Sequence, residues 1–477
     1  MHRRSLFLGG IAALGVPTGA RAAGFSAAQV EDLARDLASR PYQPPTADLP
    51  PSLARLDYDA WRRITFRREA ARWAKDGAGF TLQPFARGYL FPHRVALHEV
   101  AAGVAQPWPF RAAEFDFDGL TAPPDDLGFA GFRLLGALNA PERQDEIVSF
   151  LGASYFRALG RGHAYGISAR ALSLHTGGKE EFPDFRAFWI ERPPGDTVVI
   201  HALLDGPSVA GAYRFTVTPG RETVMEVGAC LFPRVTLTGL GLAPASSMFR
   251  GGPQDPGPVP DSRPAVHDSD GLLIETAWGE RLWRPLGNPR TPHLARLDAP
   301  SPRGFGLLQR SRRFADFGDA EARYHDRPSL WVEPLGNWGP GQLGLLELPT
   351  TTEYEDNIAA FWQPARPVPA GAPFRVDWRL RWASDAPARS DLARVTATRR
   401  WRGGNRFEVE FAGTSEAEPV LTASRGRLGQ PEATTIPGGL RIAFDFQPPP
   451  DGAAELELRL QRGGRAVAET WSHRWTA

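Results

Sequence analysis

The sequence contains one cysteine, Cys230, so no disulfide can form within the chain. Cys230 lies in the apolar run 227–232, which is typical of a buried strand. A thiol in such a run packs as a small apolar side chain, whereas a nucleophilic thiol needs a basic neighbour that lowers its pKa. We therefore expect Cys230 to be structural.

Long hydrophobic runs are absent beyond the first 22 residues. The chain begins with Arg3-Arg4, continues with an apolar run at 6–17 and reaches Ala20-Arg21-Ala22, a pattern typical of a cleavable twin-arginine export signal. The alternative, a membrane anchor, requires about 20 apolar residues. We predict a signal peptide at 1–22, a mature chain starting near Ala23, and a periplasmic location.

Neither sign of charge is in excess, with 55 Lys and Arg against 54 Asp and Glu. Balanced charge gives no electrostatic attraction to nucleic acid or to an anionic membrane surface, so we expect neither as a partner. Motifs for metals and nucleotides are also missing or incomplete. The GxGxxG at 339–344 contains a proline and leads into 345–349, which does not have the pattern of a helix, so the dinucleotide interpretation fails. We expect no metal and no cofactor.

Glycine and proline are abundant, at 50 and 45 residues, and separate short runs of aromatic and β-branched residues. This favours an all-β protein. One helix is predicted after Ser26, with Gln29 completing a capping box and Pro41 ending the helix. Three runs predict a meander of strands: 197–202, 212–217 and 223–232.

The four prolines of 364–373 predict a stiff linker between domains. Beyond it, apolar and polar residues alternate in four stretches: 374–382, 407–411, 440–446 and 456–460. This period of two predicts a small β-sandwich of the immunoglobulin type. We therefore divide the chain into a signal peptide (1–22), a large N-terminal β-sandwich (23–363), the linker (364–373) and a C-terminal sandwich (374–477).

Three acid-rich segments are the candidate functional residues: 266–272, 321–331 and 351–358. Paired carboxylic acids near aromatic rings are what cleavage of a glycan requires, because one acid protonates the leaving oxygen, a second handles water, and ring faces hold the sugars. The alternative is that these are ordinary surface acids. The 14 tryptophans offer many stacking platforms, and we expect some of them along a cleft.

Longer segments resemble one family almost residue by residue. They are 128–134 (GFAGFRL), 150–160 (FLGASYFRALG), 181–191, 211–215, 263–271, 302–310 (PRGFGLLQR), 327–334 (RPSLWVEP) and the ExxDNI pattern at 353–358. Together they resemble the OpgG/OpgD (MdoG) family of periplasmic glucan biosynthesis proteins, over about 25–382. The twin-arginine leader is more similar to the OpgD branch.

The resemblance implies a large N-terminal β-sandwich, similar to the galactose-mutarotase supersandwich, followed by a smaller immunoglobulin-like sandwich. It implies action on the β-1,2-glucan backbone of osmoregulated periplasmic glucans, as an inverting glucanase or a transglycosylase. The implied partners are this glucan and the membrane glucan synthase machinery.

The resemblance also implies roles for four residues. Asp356 matches the general acid, and Asp268 matches the base, which acts through a relay of waters and a sugar hydroxyl. Glu353 and Tyr324 match residues that line this relay. A relay allows a separation longer than the 6.5–9.5 Å between the carboxyl groups of a direct inverting enzyme, and we expect the longer case, with both acids facing one cleft.

One departure from the family lies at 245–254, where an FGEN-like stretch is replaced. A changed loop beside the cleft leaves three activities open: hydrolysis, transfer, or binding alone. The presence of both Asp268 and Asp356 favours an enzyme. The alternatives are a non-catalytic glucan-binding scaffold of the biosynthetic machinery and a general polysaccharide-binding sandwich.

Overall fold

The computed structural model describes residues 24–75, 77–388, 390–401 and 405–476. The predicted signal peptide at 1–22 lies outside these residues. The part described is built almost entirely of β-strands, which confirms the all-β prediction. None of its helices is long and apolar enough to cross a membrane.

The longest helix confirms the sequence prediction. It spans Ala27–Ala38, and the Gln29 side chain accepts a hydrogen bond from the Ser26 amide at 3.1 Å. Its buried side chains, Val30 and Ala34, pack on one outer face of the larger sandwich, where Cys230 is also buried. Shorter helical segments are Pro51–Ala54, Tyr58–Arg62, Arg68–Ala70, Ala112–Glu114, Phe314–Asp316 and Tyr324–Asp326.

A ten-stranded sheet forms one layer of the larger sandwich. In spatial order its strands are Phe80–Ala86, Phe129–Gly136, Asp145–Leu151, Tyr155–Ala158, Ser168–Arg170, Leu240–Ser247, Ile358–Pro364, Gly341–Glu347 and His293–Asp298, with Leu172–Leu174 also pairing to Leu240–Ser247. The strand at Gly341–Glu347 contains most of the GxGxxG, so this motif does not open a helix, as expected.

A fifteen-stranded sheet forms the second layer and continues into the smaller sandwich. In spatial order its strands are Glu418–Ala423, Ala453–Arg462, Thr470–Thr476, Arg281–Pro285, Gly271–Glu275, Gly304–Leu308, Ser329–Leu335, Phe374–Ala383, Thr223–Pro233, Val209–Thr218, Val198–Asp205, Asp184–Glu191, Ala96–Ala101 and Val104–Trp108, with Arg465–Ala466 pairing to Ala453–Arg462. The meander predicted at 197–232 is the antiparallel run of three strands within this sheet.

Aromatic side chains fill the space between the two large sheets. Phe132 and Phe150 of the ten-stranded sheet pack against Phe188 of the fifteen-stranded sheet, with ring centroids 5.1 Å apart in both pairs. Phe150 also lies 5.1 Å from Phe215. Each such fully buried ring stabilises the fold by roughly 1.5–3 kcal/mol relative to an exposed one, so this layer of rings fixes the sandwich.

A five-stranded sheet completes the smaller sandwich. Its strands are Arg394–Arg400, Arg406–Ala412, Gly439–Gln447 and Arg427–Leu428 in spatial order, with Glu432–Ile436 also pairing to Gly439–Gln447. The apolar positions predicted to alternate at 407–411, 440–446 and 456–460 are all buried. Two small sheets remain, Thr65–Phe66 with Phe115–Asp116 and Phe249–Gly251 with Val266–His267.

The pairing of one strand corrects the predicted boundary. Phe374–Ala383 pairs with Thr223–Pro233 and with Ser329–Leu335, so it belongs to the larger sandwich rather than opening the smaller one. The preceding stretch 364–373 therefore connects the two sheets of the larger sandwich, and Val368 in it exchanges hydrogen bonds with Leu237. Alternation identifies a strand and its buried face but not its partner. The remaining division into domains stays a prediction.

Candidate active site

The candidate site lies on the outward face of the ten-stranded sheet. Residues two apart along a strand share a face, so Tyr155 and Arg157 point the same way, and Arg170 lies opposite Tyr155 in the register. Between them along the strand, Phe156 points into the core. The inward face is thus apolar, while the outward face carries hydroxyl and guanidinium groups.

Asp356 lies on the segment that joins Gly341–Glu347 to Ile358–Pro364, and its side chain is exposed. Its Oδ2 accepts a hydrogen bond from the Tyr155 hydroxyl at 2.7 Å. Burial raises the pKa of Tyr155, and the Asp356 carboxylate raises it further, so the phenol stays protonated and donates. Asp356 also lines a pocket of about 80 Å³ together with Arg170 and Ser246.

The buried side chain of Asn357 holds this segment in place. Its Nδ2 donates to the carbonyl oxygens of Phe249 at 3.0 Å and Leu348 at 2.8 Å, and its Oδ1 accepts from the Phe249 amide at 2.8 Å. An amide that satisfies three backbone groups fixes the conformation of its own residue and therefore of the neighbouring Asp356.

Tyr324 and Glu353 are in direct contact. The Tyr324 hydroxyl donates to Glu353 Oε2 at 3.1 Å, and the same oxygen lies 2.6 Å from a guanidinium nitrogen of Arg263. Arg263 also pairs with Asp319 at 2.7 Å. Burial raises the pKa of Tyr324, so this hydroxyl too remains a donor.

Asp268 is buried and forms an ion pair with Arg327. Burial raises the pKa of Asp268 to about 6, the Arg327 guanidinium opposes this rise, and the charge of Asp356 adds to it. The Arg327 guanidinium lies over the Tyr324 ring, 4.3 Å from its centroid. One connected cluster is thus formed by Asp268, Arg327, Tyr324 and Glu353. The charge of Asp356 acts on this cluster by raising the pKa of Asp268.

Three residues that contact the candidate site residues were not assigned a role by sequence reasoning: Arg263, Arg327 and Tyr155. Each lies inside a segment that resembles the family, so the sequence marked all three as candidates. Their partners could not be predicted, because contacting residues such as Tyr155 and Asp356 are 201 positions apart in the chain. An arginine in a matching segment does not reveal which carboxylate it pairs with.

The expectation of tryptophans along the cleft stays a prediction. All 14 lie within the described residues, and most are buried in the two sandwich cores. Two are exposed, Trp278 and Trp401. The altered stretch 245–254 does lie at the site, since Ser246 lines the Asp356 pocket and Ser247 Oγ lies 2.6 Å from Ser269 Oγ.

These features define a class of protein: a two-sandwich all-β protein with carboxylates, phenols and guanidinium groups gathered beside its ten-stranded sheet. Residues 25–475 match the family model described as periplasmic glucan biosynthesis protein, MdoG. The chain therefore belongs to this family.

Individual relatives agree with this assignment. The glucans biosynthesis protein G of Rhodopseudomonas palustris is 47% identical over 466 residues, which cover 94% of this chain and 92% of the relative. Those of Vibrio cholerae and Bradyrhizobium diazoefficiens are 43% and 42% identical, covering 96% and 100% of this chain and 88% and 100% of the relatives. These relatives carry the name of protein G, whereas the leader indicated the OpgD branch, so the branch stays a prediction.

Proposed function

We propose that this protein acts in the biosynthesis of periplasmic glucans as an inverting glucanase or transglycosylase on a β-1,2-linked backbone. The observation that supports the proposal is that the Tyr155 hydroxyl binds an exposed Asp356, whose charge in turn raises the pKa of a buried Asp268. Family membership supports the glucan as the substrate and the periplasm as the location.

In this proposal Asp356 is the general acid. Because its Oδ2 accepts the Tyr155 hydrogen bond, the transferable proton is carried on Oδ1 and passes to the glycosidic oxygen as the bond breaks. The exposed position of Asp356 leaves room for the sugar chain.

Asp268 is the base. The Arg327 charge favours its ionised form, and a pKa of about 6 makes it ionised at neutral pH. Because Asp268 is buried, it accepts the proton of the attacking water through a relay rather than by direct contact. The Tyr324 and Glu353 side chains line this relay.

A non-catalytic glucan-binding scaffold is the second candidate, and one observation favours it. Asp268 is 4% exposed and ion-paired, which is also the arrangement of a structural carboxylate.

The test is to incubate the purified protein with linear β-1,2-glucan, to follow chain length by chromatography and to follow the anomer of the new reducing end by NMR. Shorter or redistributed chains with an inverted anomer support the enzyme. Binding of the glucan without any change in chain length supports the scaffold.

A further inference from the structure

Two half-exposed aromatic rings, Phe182 and Tyr165, flank the site. Their exposed fractions are 51% and 43%, whereas most of the large aromatic side chains of this chain are buried. Single exposed rings are common on protein surfaces. These two differ because each ring lies against an arginine that contacts or faces the residues of the site.

Phe182 is connected to Asp356 through Arg170. The Arg170 guanidinium lies 5.1 Å from the Phe182 centroid and 5.9 Å from that of Tyr155, the residue that donates to Asp356. Arg170 and Asp356 line the same pocket. Phe182, Arg170 and the Tyr155–Asp356 pair therefore form a continuous surface.

The backbone around Phe182 is held rigidly. The preceding residue, Glu181, accepts a hydrogen bond from the Ser208 amide at 2.9 Å, and its own amide donates to the Leu174 carbonyl at 3.2 Å. The following residue is Pro183, whose ring fixes its φ angle. An exposed ring on an ordered backbone offers contact area at low entropic cost.

Tyr165 is the ring on the Asp268 side. The Arg157 guanidinium lies 4.2 Å from its centroid, and the charge of Arg157 acts on Asp268. The adjacent Gly166 packs so closely on Arg327 that a Cβ there would lie 2.9 Å from Arg327 Cβ. The backbone one residue after Tyr165 therefore lies against the arginine that pairs with Asp268.

We infer that Phe182 and Tyr165 are stacking platforms for glucose units on the two sides of the site, Phe182 beside Asp356 and Tyr165 beside Asp268. The C–H bonds of a pyranose face carry partial positive charge and pack on the negative face of an aromatic ring. Arg170 and Arg157 fix the two rings and place N–H donors near the sugar hydroxyls. This inference rests on the proposed function and specifies residues that select an extended glucan chain.

The test uses Asp356→Asn as the parent protein, because this variant should not cleave the glucan chain. Calorimetry then measures the Kd for linear β-1,2-glucan. We expect Phe182→Leu and Tyr165→Leu each to raise the Kd roughly three- to tenfold, the range typical of a single aromatic contact. The ring-retaining variants Phe182→Tyr and Tyr165→Phe should bind like the parent. In otherwise native protein the Leu variants should raise KM and leave kcat unchanged, because a platform contributes equally to ground and transition states.

Trp278→Leu is the matched control, because Trp278 is 63% exposed and lies in the turn between Gly271–Glu275 and Arg281–Pro285, at the end of this hairpin away from Asp268. It should not change the Kd. A parent that binds glucan while both Leu variants bind equally well would overturn this inference and leave the proposed function standing. A parent that binds no glucan would remove the proposed function and this inference with it.

Discussion

The two candidate catalytic carboxyl groups have different surroundings. Asp356 is exposed and accepts one hydrogen bond from a phenol, whereas Asp268 is buried against a guanidinium. The resemblance to a family predicted both residues. It did not predict their partners, because a pairing such as that of Asp268 with Arg327 depends on tertiary contacts between distant segments.

Replacing Asp356 with Asn should abolish glucan cleavage or transfer and leave the fold intact. The substitution keeps the shape of the side chain and its acceptor for Tyr155 but removes the proton, and a general acid contributes about 10²–10⁴-fold to the rate. The measurement is initial rate together with the thermal midpoint. Glu355→Gln, on the same exposed segment, is the control and should stay active. A midpoint lowered as much as by a core mutation would mark Asp356 as structural.

The acidic limb of the pH–activity profile should report Asp268. A base must be ionised, so kcat/KM should fall as the pH drops through about 6, the raised pKa of this buried carboxyl. Arg327→Met removes the charge that lowers this pKa, so the pKa rises and the limb moves to higher pH.

The profile is measured on linear glucan from about pH 4 to 8 for both proteins. Arg313→Met is the control, because Arg313 is exposed and pairs with Asp316 instead. If the acidic limb of Arg327→Met falls at the same pH as that of the wild type, Asp268 is excluded as the group whose titration causes it.

Among the elements of the fold, the sequence predicted strands and their buried faces better than their partners. The alternation at 407–411 and 440–446 depends only on which side of a strand is buried, and it was correct. The domain to which 364–383 belongs depends instead on which sheet pairs with its strand. The proline content of 364–373 indicated a linker but carried no information on that pairing. Trp378 and Trp382, buried in the core of the larger sandwich, are what fix this strand there.

Replacing Asn357 with Ala should release the segment that carries Glu353 and Asp356. It leaves one amide and two carbonyl groups without partners, which should lower the free energy of unfolding by about 2–4 kcal/mol. Activity should fall as well, since Asp356 loses its fixed position. Denaturant unfolding and initial rates measure both effects. Thr351 is exposed on the same segment, so Thr351→Ala should change neither the free energy of unfolding nor the initial rate. If Asn357→Ala also changes neither, the segment is held by other contacts.

At the scale of the whole molecule, the two sandwiches share structure. The fifteen-stranded sheet runs through both, joined by the parallel pairing of Leu282 with Thr470 and of Trp283 with Trp471. Four side chains of the larger sandwich complete the core of the smaller one: Leu273, Trp283, Leu308 and Trp331. Without the larger sandwich, water would enter the core of the smaller one. The two sandwiches are therefore more closely coupled than the sequence pattern of two separate domains indicates.

Export of the whole molecule should depend on the arginine pair near its start. Replacing Arg3 and Arg4 with Lys should strongly reduce the amount of mature protein in the periplasmic fraction, because the twin-arginine signal is defined by that pair. Immunoblots of fractionated cells measure this, with Arg21→Lys, outside the pair, as the control. Undiminished export of the double variant would exclude this pathway.

The junction between the sandwiches should make the molecule unfold in one cooperative transition. Glu469 binds the Arg310 guanidinium through both carboxylate oxygens, at 2.7 and 2.8 Å, and Arg310 lies 3.7 Å from the Trp283 centroid. Both charged side chains are almost fully buried. Glu469→Ala leaves the buried Arg310 charge without its partner, which should lower the free energy of unfolding by about 3–5 kcal/mol.

Because this pair joins the smaller sandwich to the larger one, its loss should also separate the two. Scanning calorimetry should show one transition for the native protein and two for Glu469→Ala, the first from the smaller sandwich. Asp451→Asn breaks the Arg425–Asp451 pair, whose side chains are 51% and 83% exposed, and should shift the transition little. A single transition in Glu469→Ala, lowered no more than in Asp451→Asn, would mean that the continuous sheet alone couples the two sandwiches.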